Sequence, residues 1–102
     1  MEYKKLSEFK GDKAFEVIDQ LLDPIAQIAQ DEEFKKAREN KGASIKSLAH
    51  KLIKDHRDEI VTILAVISEQ KPEDLRNSIS PVDILNGTIA VFSDEDMLNL
   101  FR

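Results

Sequence analysis

Apolar residues recur along most of this chain at the three-and-four spacing of an amphipathic helix. Asp12 can cap a helix starting after Gly11, in which Ala14, Phe15, Ile18, Leu21 and Leu22 follow at that spacing. Asp23-Pro24 reads as a cap followed by proline at the first helical position, so a new helical segment is expected there, with Ile25, Ile28 and Ala29. Asp31-Glu32-Glu33 places acids where a further short helix would start, favoured by the helix dipole, with Phe34 and Ala37 as its apolar residues. Arg38 to Gly42 reads as a surface loop. Ser44 then caps a clean amphipathic helix with Ile45, Leu48, Ala49, Leu52 and Ile53 on one face and Lys46, Lys51 and Lys54 off it.

Asp55-His56-Arg57-Asp58-Glu59 separates that helix from Ile60–Ile67, which is apolar on nearly every side and is expected at the centre of the fold. Its β-branched residues would also suit a buried strand. Length, and the absence of Gly or Pro between Ser44 and Gln70, favour helix. Pro72 closes this element, and Glu73-Asp74-Leu75 predicts a short helical turn. Ser80-Pro81 repeats the cap-then-proline signal ahead of Val82, Ile84, Leu85, Ile89 and Phe92. Within that stretch Asn86-Gly87 is a hairpin signal. A lone two-stranded hairpin is marginal and no other strand is at hand to extend it, so helix is expected over 82–92. Ser93 is expected to cap the last helix, with Asp94, Glu95 and Asp96 in its first turn. The pattern predicts an all-α single domain over residues 1–102, about six helices around a long apolar central helix, with the polar segment 1–10 flexible.

Composition agrees with that reading: in 102 residues, 41% are hydrophobic and 34% charged, which suits a small globular domain with a modest core. With no cysteine, disulfides and thiolate metal sites are excluded. The N-terminal segment lacks the apolar centre of a signal peptide, and no apolar run nears the roughly 20 residues that span a bilayer, so no membrane association is expected and a cytoplasmic location is. The net charge of −5 is unevenly spread. Residues 35–57 hold eight Lys and Arg against Glu39 and Asp55, a net of +6, between flanks of −5 and −6. Such segregation reads either as a solvated surface or as a basic band, with Lys46, Lys51 and Lys54, that meets an acidic band on a neighbouring copy in an oriented homo-oligomer. Nucleic acid is not an expected partner, because the acidic flanks oppose the basic band and no Tyr or Trp lies within it.

Candidate chemistry is sparse. His50 and His56 are six apart, off the i, i+4 spacing of a helical metal pair, and each adjoins a cation. Three isolated glycines build no phosphate loop, and the acidic clusters sit where helix starts explain them. No catalytic residue, cofactor or metal site is therefore expected. Met97, Leu98, Leu100 and Phe101 form a large apolar cluster at the C-terminal end, which reads either as a terminal helix docked on its own core or as a candidate partner-binding patch.

One further pattern concerns the order of these motifs. Ile60–Ile67, then Lys71-Pro72-Glu73-Asp74-Leu75, Ser80-Pro81-Val82-Asp83-Ile84-Leu85 and Phe92-Ser93-Asp94-Glu95 through Leu100-Phe101 resemble the tail assembly chaperones of long-tailed bacteriophages and prophages. Leu6-Ser7-Glu8-Phe9-Lys10-Gly11 and Leu22-Asp23-Pro24-Ile25 extend the resemblance to nearly the whole chain. The resemblance implies a non-enzymatic protein in the cytoplasm of the bacterial host. Such a protein binds the tape-measure protein, keeps it soluble during tail assembly and is absent from the mature virion. It also implies a longer frameshift product that recruits the tail-tube protein, this chain being the short form. The competing expectation is a small phage or bacterial regulatory module that binds DNA or a transcription protein through residues 35–57.

Overall fold

A computed structural model describes residues 2–39 and 44–101. Among them the chain forms a 3-10 turn, Leu6–Glu8, and seven α-helices: α1 (Asp12–Ala29), α2 (Glu32–Glu39), α3 (Ile45–Asp55), α4 (Arg57–Ile67), α5 (Pro72–Ser78), α6 (Pro81–Ser93) and α7 (Glu95–Leu100). No strand occurs among the described residues, and the fold is all-α.

Most helix starts follow the local chemistry of the chain. Asp31 Oδ1 accepts the Glu33 and Phe34 N–H groups at 2.9 and 3.3 Å, satisfying two otherwise orphaned donors of α2. Ser44 Oγ accepts the Ser47 N–H at 3.2 Å. Ser80 and Asp83 form a reciprocal capping box, both bonds at 3.1 Å, and Pro72 and Pro81 open their helices. At α7 the cap is Asp94 and not Ser93, which still belongs to α6. The carboxylate succeeds where the hydroxyl would not because it has two oxygens to use: Oδ1 takes the Asp96 N–H at 3.1 Å, and Oδ2 takes the Leu6 N–H at 2.9 Å.

Three further expectations about where helices begin and end change. First, Pro24 does not start a helix but lies inside α1, which runs unbroken for 18 residues from an N-cap at Gly11, not Asp12. Gly11 sits at φ +62°, a conformation that a side chain disfavours. The missing Pro24 N–H costs about 3 kcal/mol in a helix interior. Continuing the helix keeps Ile25 and Ile28 in one buried row with Val17 and Leu21, and burying each such side chain contributes about 1.5–3 kcal/mol. Second, Arg38 and Glu39, expected in a surface loop, belong to α2; the rest of that expected loop, residues 40–42, lies outside the described residues. Third, the five-residue separator before Ile60 shrinks to His56, whose N–H bonds Leu52 O while its own carbonyl accepts from Ile60.

The apolar run is buried along nearly its whole length. Within α4, Ile60, Val61, Ile63, Leu64, Ala65, Val66 and Ile67 are all buried. It is 11 residues long, however, and the longest helix is α1, which packs along it. A Schellman motif ends α4: Glu69 N–H bonds Val66 O at 3.2 Å and Gln70 N–H bonds Ala65 O at 2.9 Å. Glu69 occupies the left-handed position at φ +59°. On the other side α6 passes so close that a Cβ at Gly87 would lie 2.6 Å from a methyl of Leu64. Asn86-Gly87 thus serves helix packing in place of a turn.

The N-terminal segment is tied down. Lys4 N–H bonds Ile67 O at 2.9 Å, the Tyr3 hydroxyl donates to Asp83 O at 2.8 Å, and Phe9 is buried. Burial, then the nearby Asp83 charge, push the Tyr3 phenol pKa up. The Cα radius of gyration, 12.8 Å, is that of one compact body of about 100 residues.

Candidate interaction surface

The apolar C-terminal residues face inward. Met97 is 1% and Phe101 3% exposed, while Leu98 and Leu100 are half-buried. Phe34, Phe92 and Phe101 form a three-ring cluster with centroids 5.8–6.1 Å apart, which draws α2, α6 and the chain end together. With α7 anchored by Asp94, Met97 and Phe101 close this chain's own core and Leu100 packs against it, so of the four residues assigned to a partner patch only Leu98 and Leu100 keep surface to offer.

Of the three lysines assigned to self-association, Lys46 and Lys54 are exposed on α3. Lys51 is engaged within the chain, holding Asp55 on its own helix and Glu33 on α2. Those two hydrogen bonds, Asp55 first, raise its pKa further above the ordinary lysine range, and the same contact with Lys51 lowers that of Asp55.

Beside this pair lies the one histidine with a buried position. His56 Nε2 is 2.6 Å from Asp31 Oδ2, joining the α1–α2 junction to the α3–α4 junction, and Nδ1 lies 3.8 Å from Glu59 Oε1 without a hydrogen-bond partner. The His56 bond is the main cause that lowers the Asp31 pKa, helped by the Phe34 and Glu33 amides that Asp31 caps. His50 is exposed. Among the described residues no group of three or more His, Asp or Glu side chains could hold a metal ion, and no helix is long and apolar enough to cross a membrane.

The unpartnered apolar surface lies elsewhere, on two helices. On α1, Phe15 is 79%, Ile18 39% and Leu22 52% exposed; on α6, Val82 is 63%, Leu85 43% and Ile89 45% exposed. Both sets have the spacing i, i+3, i+7, one continuous face of a helix. At about 100° per residue the apolar arc of α1 spans about 200°, twice what a one-sided contact needs. Its first half, Val17, Leu21, Pro24, Ile25 and Ile28, is buried, and the second half is open. Asp19, Asp12, Asp23 and Glu16 follow in that order around the helix and border the open half with carboxylates.

These positions were read from sequence only as helix core. The signal that distinguishes them is arc width: Phe15, Ile18, Leu21, Leu22, Ile25 and Ile28 cannot all face one neighbour. A smaller apolar cavity of about 110 Å³ opens between α3, α4, α5 and α6, lined by Ile53, Ile60, Val61, Leu64, Ile79 and Ile84 with Arg57 and Arg76 beside them. Arg76 is paired with Asp58.

Fold and surface together define a small all-helical protein that presents two apolar helix faces to its surroundings. No family model, curated protein or solved structure matches the chain.

Proposed function

We propose that this chain is a tail assembly chaperone of a long-tailed bacteriophage or prophage, acting in the cytoplasm of the bacterial host. It binds the tape-measure protein and keeps it soluble during tail assembly, without catalysis or cofactor, and leaves before the virion is complete. A frameshift-extended form brings in the tail-tube protein. The observation that carries this reading is the pair of uncovered apolar helix faces, Phe15-Ile18-Leu22 and Val82-Leu85-Ile89. A very long helical protein exposes apolar stripes that aggregate, and helix-on-helix docking masks such stripes reversibly. The motif order from Ile60 to Phe101 supports the same reading.

The test is co-expression with the tape-measure protein of the same genome, followed by assay of the soluble fraction. The expected result is a soluble tape-measure protein that co-purifies with several copies of this chain. A tape-measure protein that stays aggregated overturns the reading, as does a gene neighbourhood without tail proteins.

A further inference from the structure

The open face of α1 has a definite chemical character. Phe15, Ile18, Leu22 and Ala29 occupy the a and d positions of a heptad whose remaining d position, Ile25, is already buried. From Phe15 to Ala29 the face is about 21 Å long, four helical turns. Along one border Asp19 falls at the flanking e position, with Glu16 and Asp23 just outside it. The opposite border is the row already packed on α4. A helix laid on this face is therefore flanked by carboxylates on one side only.

We propose that α1 is a docking seam for one helix of another protein, carrying an apolar stripe with Lys or Arg along the edge that meets Asp19 and Asp23. The acidic border selects this occupant. An amphipathic helix that lies on an anionic bilayer carries Lys and Arg beside its apolar face, and carboxylates there would be repelled. Nucleic acid is repelled for the same reason. A second copy offering its own α1 antiparallel would set carboxylates against carboxylates, and in a parallel pair Asp19 would face the apolar row that α4 already covers, with no cation to meet it. Charges flanking a helical seam set partner choice and orientation more than strength. This inference rests on the chaperone reading for its biological partner, but the seam has a test of its own.

Two synthetic helical peptides of about three heptads serve as probes, with an identical leucine seam and flanks of either Lys or Glu. The Lys-flanked peptide is expected to bind tighter by on the order of tenfold at low salt, the gap closing as salt screens the exposed pairs. The double variant Asp19→Lys/Asp23→Lys should reverse the order, and Leu22→Ser should weaken both peptides. These residues are exposed, so the variants stay folded, which an unchanged circular dichroism melt verifies. Equal binding of the two peptides overturns the proposal, as does peptide binding that no α1 substitution alters. Concentration-dependent self-association of the free chain that Leu22→Ser abolishes overturns it in favour of a second copy. If the Lys peptide docks as expected but the tape-measure protein still aggregates in co-expression, the chaperone reading falls and the seam stands. If the tape-measure protein is kept soluble while the peptides bind alike, the reverse holds.

Discussion

Single residues in this protein carry constraints that neither helix propensity nor hydropathy explains. Alanine is the better helix former, and by propensity Gly87→Ala would stabilise α6 by about 1 kcal/mol. The added methyl would meet both terminal methyls of the fully buried Leu64, at 2.6 and 2.7 Å, with Tyr3 Cζ 3.1 Å away, so core side chains would have to shift. Overpacking of that kind costs about 1–3 kcal/mol, so Gly87→Ala is expected to lower stability in a denaturant titration despite its gain in propensity. Glu69 is the mirror case. It holds φ +59° in a Schellman motif where glycine is the natural occupant, and its ion pair with Lys4 is solvent-exposed and weak. Glu69→Gly should leave stability unchanged or raise it by up to about 1 kcal/mol, read as a shift in thermal midpoint.

Asp31 makes a prediction about pH. His56 and the Phe34 and Glu33 amides depress its pKa in the folded state relative to the unfolded chain. A group depressed in this way stabilises the fold above the ordinary carboxylate range, and the contribution is lost as pH falls through the lowered folded value. Asp31→Asn should therefore flatten the acid limb of stability against pH, measured by denaturant midpoints between neutral pH and the carboxylate range. An acid limb identical to that of the parent protein would refute the linkage.

Between elements, the contrast is of two apolar clusters with opposite fates. The C-terminal cluster closes the core: Phe101 completes a ring triad with Phe34 and Phe92, and its truncation leaves a cavity between three helices. Phe101→Ala is expected to destabilise by about 3–5 kcal/mol, visible as a large drop in thermal midpoint. Phe15 on α1 is as apolar and as large, yet 79% exposed. Phe15→Ser should change stability by no more than about 0.5 kcal/mol, while removing partner binding if α1 is the docking seam. The pair separates folding from binding: one phenylalanine belongs to stability and the other to association. Helix α1 itself can serve both ends because Pro24 does not divide it. An unbroken helix carries the buried row and the open seam along the same axis.

For the molecule as a whole, charge is organised as well as apolar surface. The band over residues 35–57 is partly neutralised within the fold, Lys51 by Glu33 and Asp55, and acidic residues border α1. The regulatory-module alternative requires duplex DNA binding that falls steeply with salt. The chaperone reading predicts none, and a fluorescence-anisotropy titration of labelled duplex at low salt distinguishes them. Salt-dependent binding there would favour the alternative.

How much of this was legible in the sequence divides by the range of the forces involved. Helix starts at Asp31, Ser44 and Ser80-Pro81 could be read directly, because a cap is a bond between residues two or three apart, whereas Pro72, expected to close the preceding helix, opens α5. The burial of Ile60–Ile67 was equally plain, since a helix apolar on nearly every side has no stable place at the surface. Where the sequence misled, distant partners decided. Whether Pro24 starts or continues a helix depended on the buried row that α4 receives from α1. The helix expected over 82–92 against the Asn86-Gly87 hairpin signal did form, and there Gly87 lets α6 pack closely on Leu64, more than twenty residues away. Asp94 displaced Ser93 as a cap because Leu6 offered a second hydrogen bond. The same holds for the candidate site. The chain by itself determined which residues are apolar and at what spacing, but only the tertiary structure decided which of them found cover. A helix with apolar residues over half its circumference can bury one side against its own fold, and the neighbour it receives sets which side remains for a partner.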